Sequence, residues 1–495
     1  MWTPETLSSL ASEKFEGTPL IVVSNREPYV HTKDNGVVEW SQPASGVTAG
    51  LDPILQACGG TWIAQGVGEA DFEVADSQNK VAVPPDNPRY TLKRVRLSES
   101  DRKGFYDGMS NNGLWPLCHV AYTSPIFKES DWESYKKVNR IFADAILEEI
   151  KGRSAFVFIQ DYHFALLARY LKLDNPSIIT AQFWHIPWPD PEVLARCPWQ
   201  EEILEGLLGN DLLAFHTTYY GTNFLNSVER ATESRIDYDY RHIFMGGHRT
   251  SVRAFPMGVD FESINEQAKH KEVGNEVLRL KEEMGLADKF IGVGLDRLDY
   301  TKGVLERLNA IDRLLELNPE YKNRLVFLQL GAASRMQVDS YRDINDEINR
   351  LIERINIKYG NDVWTPVIRF SEDPGHTMRM ATRVMADFYV VSSLHDGMNL
   401  VAKEFVASRH DEGGSLILSP FTGAADELRD AFVVNPYATD EFARTIDSAI
   451  KASPQEKRRR IISMRSVVRD NTIYKWAADL ITAMTEFENQ PIRVG

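Results

Sequence analysis

Short apolar runs alternate with longer helical patterns along almost the whole chain, and this rhythm restricts the fold more than any single motif does. Apolar runs occupy residues 20–24, 61–64, 92–95, 155–159, 178–184 and 212–215, with helical patterns at 131–150, 162–171, 191–208 and 218–232 between and after them. A second series follows: runs at 290–295, 325–330, 388–392, 416–419 and 432–434, and helical patterns at 304–317, 338–357, 376–386 and 399–408. Runs that are apolar throughout, rather than every second residue, are those of parallel strands buried on both faces. Two such series predict an α/β protein of two Rossmann-like, doubly wound domains. The break Phe255-Pro256-Met257-Gly258-Val259 falls between them, so the expected domains are 1–257 and 258–471. A last helix, 472–487, carries Tyr474, Trp476, Leu480 and Met484 on one face and must pack against something.

Composition narrows the class of partner. At 495 residues the chain can bury more than one core, and 43% hydrophobic with 26% charged residues is ordinary for a soluble globular protein. The net charge of -15 argues against nucleic acid or an anionic membrane as the main partner, while local cations still permit an anionic substrate. Cys58, Cys118 and Cys197 are too widely spaced for a metal motif and read as reduced thiols. Residues 1–17 lack the basic and apolar regions of a signal peptide, and no apolar run reaches the roughly 18 residues of a membrane helix. The expected location is therefore cytoplasmic.

Polar groups collect where the strands end. Gly294-Leu295-Asp296-Arg297-Leu298-Asp299-Tyr300-Thr301-Lys302-Gly303 closes one run and opens a helix. Arg297 and Lys302 at such a turn suit a diphosphate, Arg as a planar fork and Lys as a point charge; a surface ion-pair network is the bland alternative. His395-Asp396-Gly397-Met398-Asn399-Leu400 opens the helix that carries Glu404. The amides of a helix start bind anions, and Asp396 and Glu404 could bond sugar hydroxyls. Spacing alone reads them as an N-cap and a solvated helix residue. In the first half Asn25-Arg26, Asp161-Tyr162-His163 and His185 follow strands, and Ser45-Gly46-Val47 supplies a flexible turn. Tyr106 and Trp115 flank Ser110-Asn111-Asn112-Gly113, expected to be a loop, where sugar stacking and plain packing are equally open. Lys457-Arg458-Arg459-Arg460 reads as a solvated helix face. No GxxxxGK[ST], HExxH, GxSxG or CxxC motif is present, and no carboxylate pair stands out as a glycosidase dyad.

Together DRLDYTKG (296–303), DGMNLVAKE (396–404), HIPWP (185–189), DYH (161–163) and SNxxLWP (110–116) resemble glycosyltransferase family 20, and the resemblance runs from about 19 to about 487. It implies a GT-B fold: two Rossmann-like domains with the active site in the cleft between them, the C-terminal helix 472–495 completing the first. It implies retaining transfer of glucose from a nucleotide diphosphate glucose, UDP-glucose favoured, to glucose 6-phosphate, by front-face attack without an enzyme nucleophile. Arg297 and Lys302 would hold the diphosphate, Asp396 the donor glucose, and the amides of Gly397, Met398, Asn399 and Leu400 the glucose and phosphate. Glu404 would bind the ribose and Gly46 would close over the diphosphate. Arg26, Tyr106, Trp115 and Arg335 would hold the acceptor, with Asp161 and His185 nearest the reacting centre. The family's glucosylglycerol-phosphate synthases, which use glycerol 3-phosphate, lack an arginine at the position of Arg335. A glycerol 3-phosphate acceptor and a silent sugar-phosphate sensor are the rival readings. The chain also reads Ser45-Gly46 where two glycines are more common, and His395 where an arginine is common. No cofactor or metal is expected, and whether the protein is a homo-oligomer is left open.

Overall fold

The computed structural model describes residues 2–43, 46–331, 339–372 and 374–487, with the backbone alone described at 339 and 340. It divides into two compact units, residues 1–257 with 473–495, and residues 258–472.

In the first unit the hairpin of Val30–Asp34 with Val37–Ser41 forms a separate two-stranded sheet, and the other ten described strands form one sheet. Across it run Arg235–Asp237, His242–Met245, His248–Ala254, Leu212–Phe215, Ile179–Trp184, Phe156–Gln160, Leu20–Arg26, Thr61–Gln65, Tyr90–Val95 and Lys80–Val83. The strands from His248–Ala254 to Tyr90–Val95 are mutually parallel, and antiparallel strands close both edges. Leu20–Arg26 and Phe156–Gln160 are neighbours, Leu20 facing Phe156 in register. From that pair the chain winds outward in opposite directions, which makes it the topological switch point. The carboxyl ends of strands at such a point open a crevice, because the connections leave it on opposite sides.

The second unit has a six-stranded, all-parallel sheet in the order Val367–Phe370, Leu325–Leu330, Phe290–Leu295, Phe388–Val391, Ser415–Leu418, Phe432–Val433. Its switch point lies between Phe290–Leu295 and Phe388–Val391. The helix Val304–Leu317 buries Val304, Leu308, Ile311, Leu314 and Leu315, a stripe at helical spacing, onto this sheet.

The final helix, Ile473–Thr485, belongs to the first unit although it ends the sequence. Its apolar face is buried, with the Trp476 ring 5.9 Å from Phe158 and 5.0 Å from Phe183, side chains of two central strands.

Several expected elements change form. The loop expected around 110–113 is the end of a π-helix, Lys103–Leu114, which runs directly into the helix Trp115–His119. Gly104 and Gly108 explain its close seat against the helix Glu129–Ile150: a β-carbon would come within 2.4 Å of the Ser134 hydroxyl and of the Asp131 carboxyl carbon. The helix expected over 162–171 begins instead as a single 3-10 turn, Tyr162–Phe164, before Leu167–Asp174. That over 191–208 is cut into Pro191–Leu194 and Gln200–Leu207, Pro198 lying in the gap. Gly46, expected in a flexible turn, is the first residue of the helix Gly46–Cys58.

Candidate active site

In the first unit, side chains gather at the carboxyl ends of the two switch-point strands. Arg26 ends one strand and donates from Nη2 to the Tyr106 hydroxyl at 3.1 Å. Tyr106, from the π-helix, stacks on His163 with centroids 5.8 Å apart and planes within 12°. Trp115 is buried against Tyr162, 5.9 Å between centroids. The turn carrying Tyr162 and His163 is fastened from beneath: the buried Tyr135 hydroxyl donates to the Tyr162 carbonyl at 2.6 Å and accepts from the Ala165 N–H at 2.9 Å. Asn139 bonds the His163 carbonyl and the Leu166 N–H in the same way.

Asp161 opens this turn with φ 70 and ψ 179, a strained backbone for a residue other than glycine. Its Oδ1 accepts from the His185 N–H at 3.2 Å, joining two adjacent strand ends. The His185 imidazole lies 2.8 Å from Gln160 Oε1 through Nε2. Since Oε1 only accepts, Nε2 carries the proton and Nδ1 the lone pair. Burial lowers the His185 pKa to about 3, so the ring is neutral near pH 7.

Behind Arg26 is a cluster with no local trace in the sequence. Arg94 donates to Glu27 Oε2 at 2.7 Å and to the Tyr29 and Asp71 carbonyls, and its Nη2 lies 3.1 Å from Asp71 Oδ1. The Arg94, Glu27 and Asp71 side chains are all buried. Burial, with Asp71 beside it, raises the Glu27 pKa to about 8. The cluster pins the chain immediately after Arg26.

In the second unit the two expected turns meet at the switch point. Lys302 Nζ and Asp396 Oδ2 form an ion pair at 2.5 Å. Asp396 Oδ2 also accepts from Asn399 Nδ2 at 3.1 Å and from the Ser393 hydroxyl at 3.3 Å. Burial alone would lower the Lys302 pKa, but the Asp396, Asp296 and Asp299 carboxylates outweigh it and hold the ammonium above its ordinary value. Asp396 is not the N-cap of the following helix, Leu400–Ser408; Asn399 is, with φ 78 and its side chain accepting from the Ala402 N–H. The N–H groups of Gly397, Met398, Asn399 and Leu400 make no hydrogen bond among the described residues. Arg297 is half-buried on the turn between the strand and Lys302.

Glu404, on the same helix as Leu400, is not a solvated residue: its Oε2 is ion-paired with Arg383 Nη2. A second arginine, Arg307, is fully buried beneath the turn, donating to Asp296 Oδ2 at 2.6 Å and to the Val390 carbonyl at 3.0 Å. It therefore ties together the two switch-point strand segments. Burial raises the Asp296 pKa against the opposing pull of Arg307 and Lys302. Arg307 and Arg383 are functional neighbours that motif reading missed. The available signal was an arginine in a helix's apolar stripe, at 307 beside Val304, Leu308 and Ile311. His395 follows the strand Phe388–Val391 in the same turn, half-buried. Gly46 is exposed at the start of its helix in the first unit. Arg335 and Ser45 lie outside the described residues. Among the described residues no group of three or more His, Cys, Asp or Glu could hold a metal ion, and no helix is long and apolar enough to cross a membrane.

Residues 18–486 match the model of glycosyltransferase family 20. The trehalose-6-phosphate synthase of Mycolicibacterium vanbaalenii is 36% identical over 482 residues, covering 95% of this chain and 97% of that one. That of Mycobacterium avium is also 36% identical, covering 95% and 96%. Among solved structures, the trehalose-6-phosphate protein of E. coli bound with UDP-2-fluoro glucose is similar with a TM-score of 0.84 and 31% identity, over 95% of this chain and 99% of that one. The UDP-forming α,α-trehalose-phosphate synthase of Burkholderia xenovorans, in complex with glucose-6-phosphate, has a TM-score of 0.84 at 29% identity, over 94% and 99%. With a family match across nearly its whole length and a doubly wound sheet in each unit, the chain belongs to glycosyltransferase family 20 and is a glycosyltransferase of GT-B fold.

Proposed function

We propose that the protein transfers glucose, with retention, from UDP-glucose to glucose 6-phosphate, giving α,α-trehalose 6-phosphate and UDP. The observation that carries this reading is the meeting of Lys302, Asp396 and the unbonded amides of 397–400 at one switch point. A diphosphate needs fixed positive groups and a sugar needs a carboxylate, and this turn offers both within one cluster. Similarity to relatives named trehalose-6-phosphate synthase, and to a structure bound with UDP-2-fluoro glucose, supports the choice of donor and product.

Arg297 and Lys302 bind the diphosphate, Asp396 the glucose hydroxyls and Glu404 the ribose; Gly46 contributes a backbone approach to the diphosphate. Arg26, Tyr106, Trp115 and Arg335 hold the acceptor, chiefly through its phosphate. The bond from the anomeric carbon to the UDP oxygen breaks as the acceptor hydroxyl attacks from the same face. Its proton passes to the departing phosphate oxygen. Negative charge grows on the leaving diphosphate, where Arg297, Lys302 and the 397–400 amides stabilise it most. His185 is neutral and its Nε2–H is committed to Gln160, so it orients groups beside the anomeric carbon rather than supplying a proton. Asp161 fixes the His185 backbone in that position. The donor set requires no metal.

A donor-by-acceptor activity matrix tests the reading: UDP-, GDP- and ADP-glucose against glucose 6-phosphate and glycerol 3-phosphate, with products identified by NMR. The expected result is α,α-trehalose 6-phosphate, formed fastest from UDP-glucose. Preferred turnover of glycerol 3-phosphate would overturn the acceptor, and nucleotide binding without turnover would point to a sensor.

A further inference from the structure

We infer that Arg383 is a positioning residue for nucleotide recognition, acting through Glu404 to hold the carboxylate that reads the ribose of the donor. The inference rests on the assignment of Glu404 to the ribose and adds a second residue, on a different helix, to that contact.

Arg383 belongs to the helix Gly375–Met385, whereas Glu404 belongs to Leu400–Ser408, and the Arg383 Nη2–Glu404 Oε2 ion pair joins the two. The arginine side chain is 8% exposed and the glutamate 29%, so the cation lies beneath and the carboxylate reaches outward. Arg383 is itself held from behind. The buried Arg409 donates from Nη1 to the Arg383 carbonyl at 3.0 Å and to the Ala386 carbonyl at 2.6 Å, and Asp411 accepts from Arg409 Nε and Nη2. Burial alone would lower the Arg383 pKa, but Glu404 beside it holds the guanidinium above its ordinary range.

An unpaired glutamate on a helix samples several rotamers, and ordering it on binding costs about 1 kcal/mol or more. Pairing one carboxylate oxygen with a buried guanidinium removes that freedom in advance. A ribose diol meets a fixed anionic acceptor, and hydrogen bonds to charged acceptors are the stronger kind. An ionised carboxylate only accepts, which suits the two hydroxyl donors of a ribose diol.

The test is a thermodynamic cycle between side chain and ligand. UDP and 2′,3′-dideoxy-UDP are titrated by calorimetry into wild type, R383Q and R383K, with thermal melts reporting folding. Wild type should prefer UDP by about 10-fold or more. R383Q should cut that preference to roughly 3-fold or less, with the dideoxy nucleotide bound as before, and R383K should recover part of it. In kinetics the UDP-glucose KM should rise in R383Q while the acceptor KM stays unchanged. Equal losses for both nucleotides, leaving the ribose preference at its wild-type value, would make Arg383 a packing residue and overturn the inference while the donor reading stands. Failure of wild type to bind UDP, GDP or ADP would overturn the donor reading, and the inference with it.

Discussion

At the scale of single residues, the clusters in the two units use their charges differently. Arg297 is half-buried on a turn whose neighbours are tied down: the Asp299 carboxylate accepts from the Thr301 N–H and hydroxyl, and the Tyr341 hydroxyl donates to it at 3.1 Å. Replacing Arg297 by Ala should leave the fold intact, by melting temperature, and lower kcat by about 100-fold, the usual cost of one contact to developing charge. Near-wild-type turnover in R297A would remove the diphosphate from this turn. His185 makes a different kind of prediction because it is neutral. Its folded pKa of about 3 lies below the ~6.5 of an unfolded histidine, so between those values the unfolded chain binds the extra proton. The sign follows: stability from this residue is complete above about pH 6.5 and is lost as pH falls toward 3. By pH 4.5 the loss is about 2–3 kcal/mol, to which titrating carboxylates add their own. Urea denaturation at pH 7 and pH 4.5 should show a smaller acid loss for H185N than for wild type. An equal loss would mean that the ring is protonated in the native state.

At the scale of elements, the central strands of both sheets could be read from the sequence because runs such as 325–330 and 388–391 are apolar on both faces, a pattern that parallel burial requires. Lys80–Val83, Arg235–Asp237, His242–Met245, His248–Ala254 and Val367–Phe370, nearer the sheet edges, lack such runs and could not be read that way. The π-helix Lys103–Leu114 could not be, since its seat depends on two glycines meeting a helix that begins fifteen residues after it ends. The turn at 296–303 was legible as a pair of cations, but not its foundation. Arg307 lies under Asp296 through a contact that only folding creates, and Glu27 meets Arg94 across 67 residues of sequence. The Arg307–Asp296 pair yields a prediction at this scale. Arg307→Met alone leaves the buried Asp296 carboxylate without its main partner and should cost about 3–5 kcal/mol. The double variant R307M/D296N removes both charges and should recover a large part of that loss, because a buried pair is strongly coupled. Denaturant titration of the four proteins measures the coupling; strictly additive losses would mean the pair contributes nothing as a pair. The same turn also depends on Gly303, whose φ of 62 and whose position 2.0 Å from the Ser392 carbonyl, measured for an added β-carbon, exclude any side chain.

At the scale of the whole molecule, sequence order and spatial membership part company at the end of the chain. The final helix returns to the first unit, burying Ile473, Tyr474, Trp476, Leu480, Ile481 and Met484 there. Each fully buried side chain of this size contributes roughly 1.5–3 kcal/mol, so together they supply of order 10 kcal/mol. A domain's whole stability is about 5–15 kcal/mol, and loss of the helix therefore decides whether the first unit folds at all. The second unit carries no such debt: its core, from Val259 to Val468, is drawn entirely from its own residues, and Arg297, Lys302, Asp396 and Glu404 all lie within it. Expressed alone, residues 258–472 should unfold cooperatively and bind UDP, without glucosyl transfer. Residues 1–257 alone should be aggregated or molten, and should recover a cooperative transition when 473–487 is supplied in trans or joined by a linker. Calorimetry and circular dichroism on the fragments check both statements. A folded 1–257 would mean that the last helix adds little to that core. A folded 258–472 that ignores UDP would mean that the cluster of Lys302, Asp396 and the 397–400 amides does not suffice to hold the donor nucleotide.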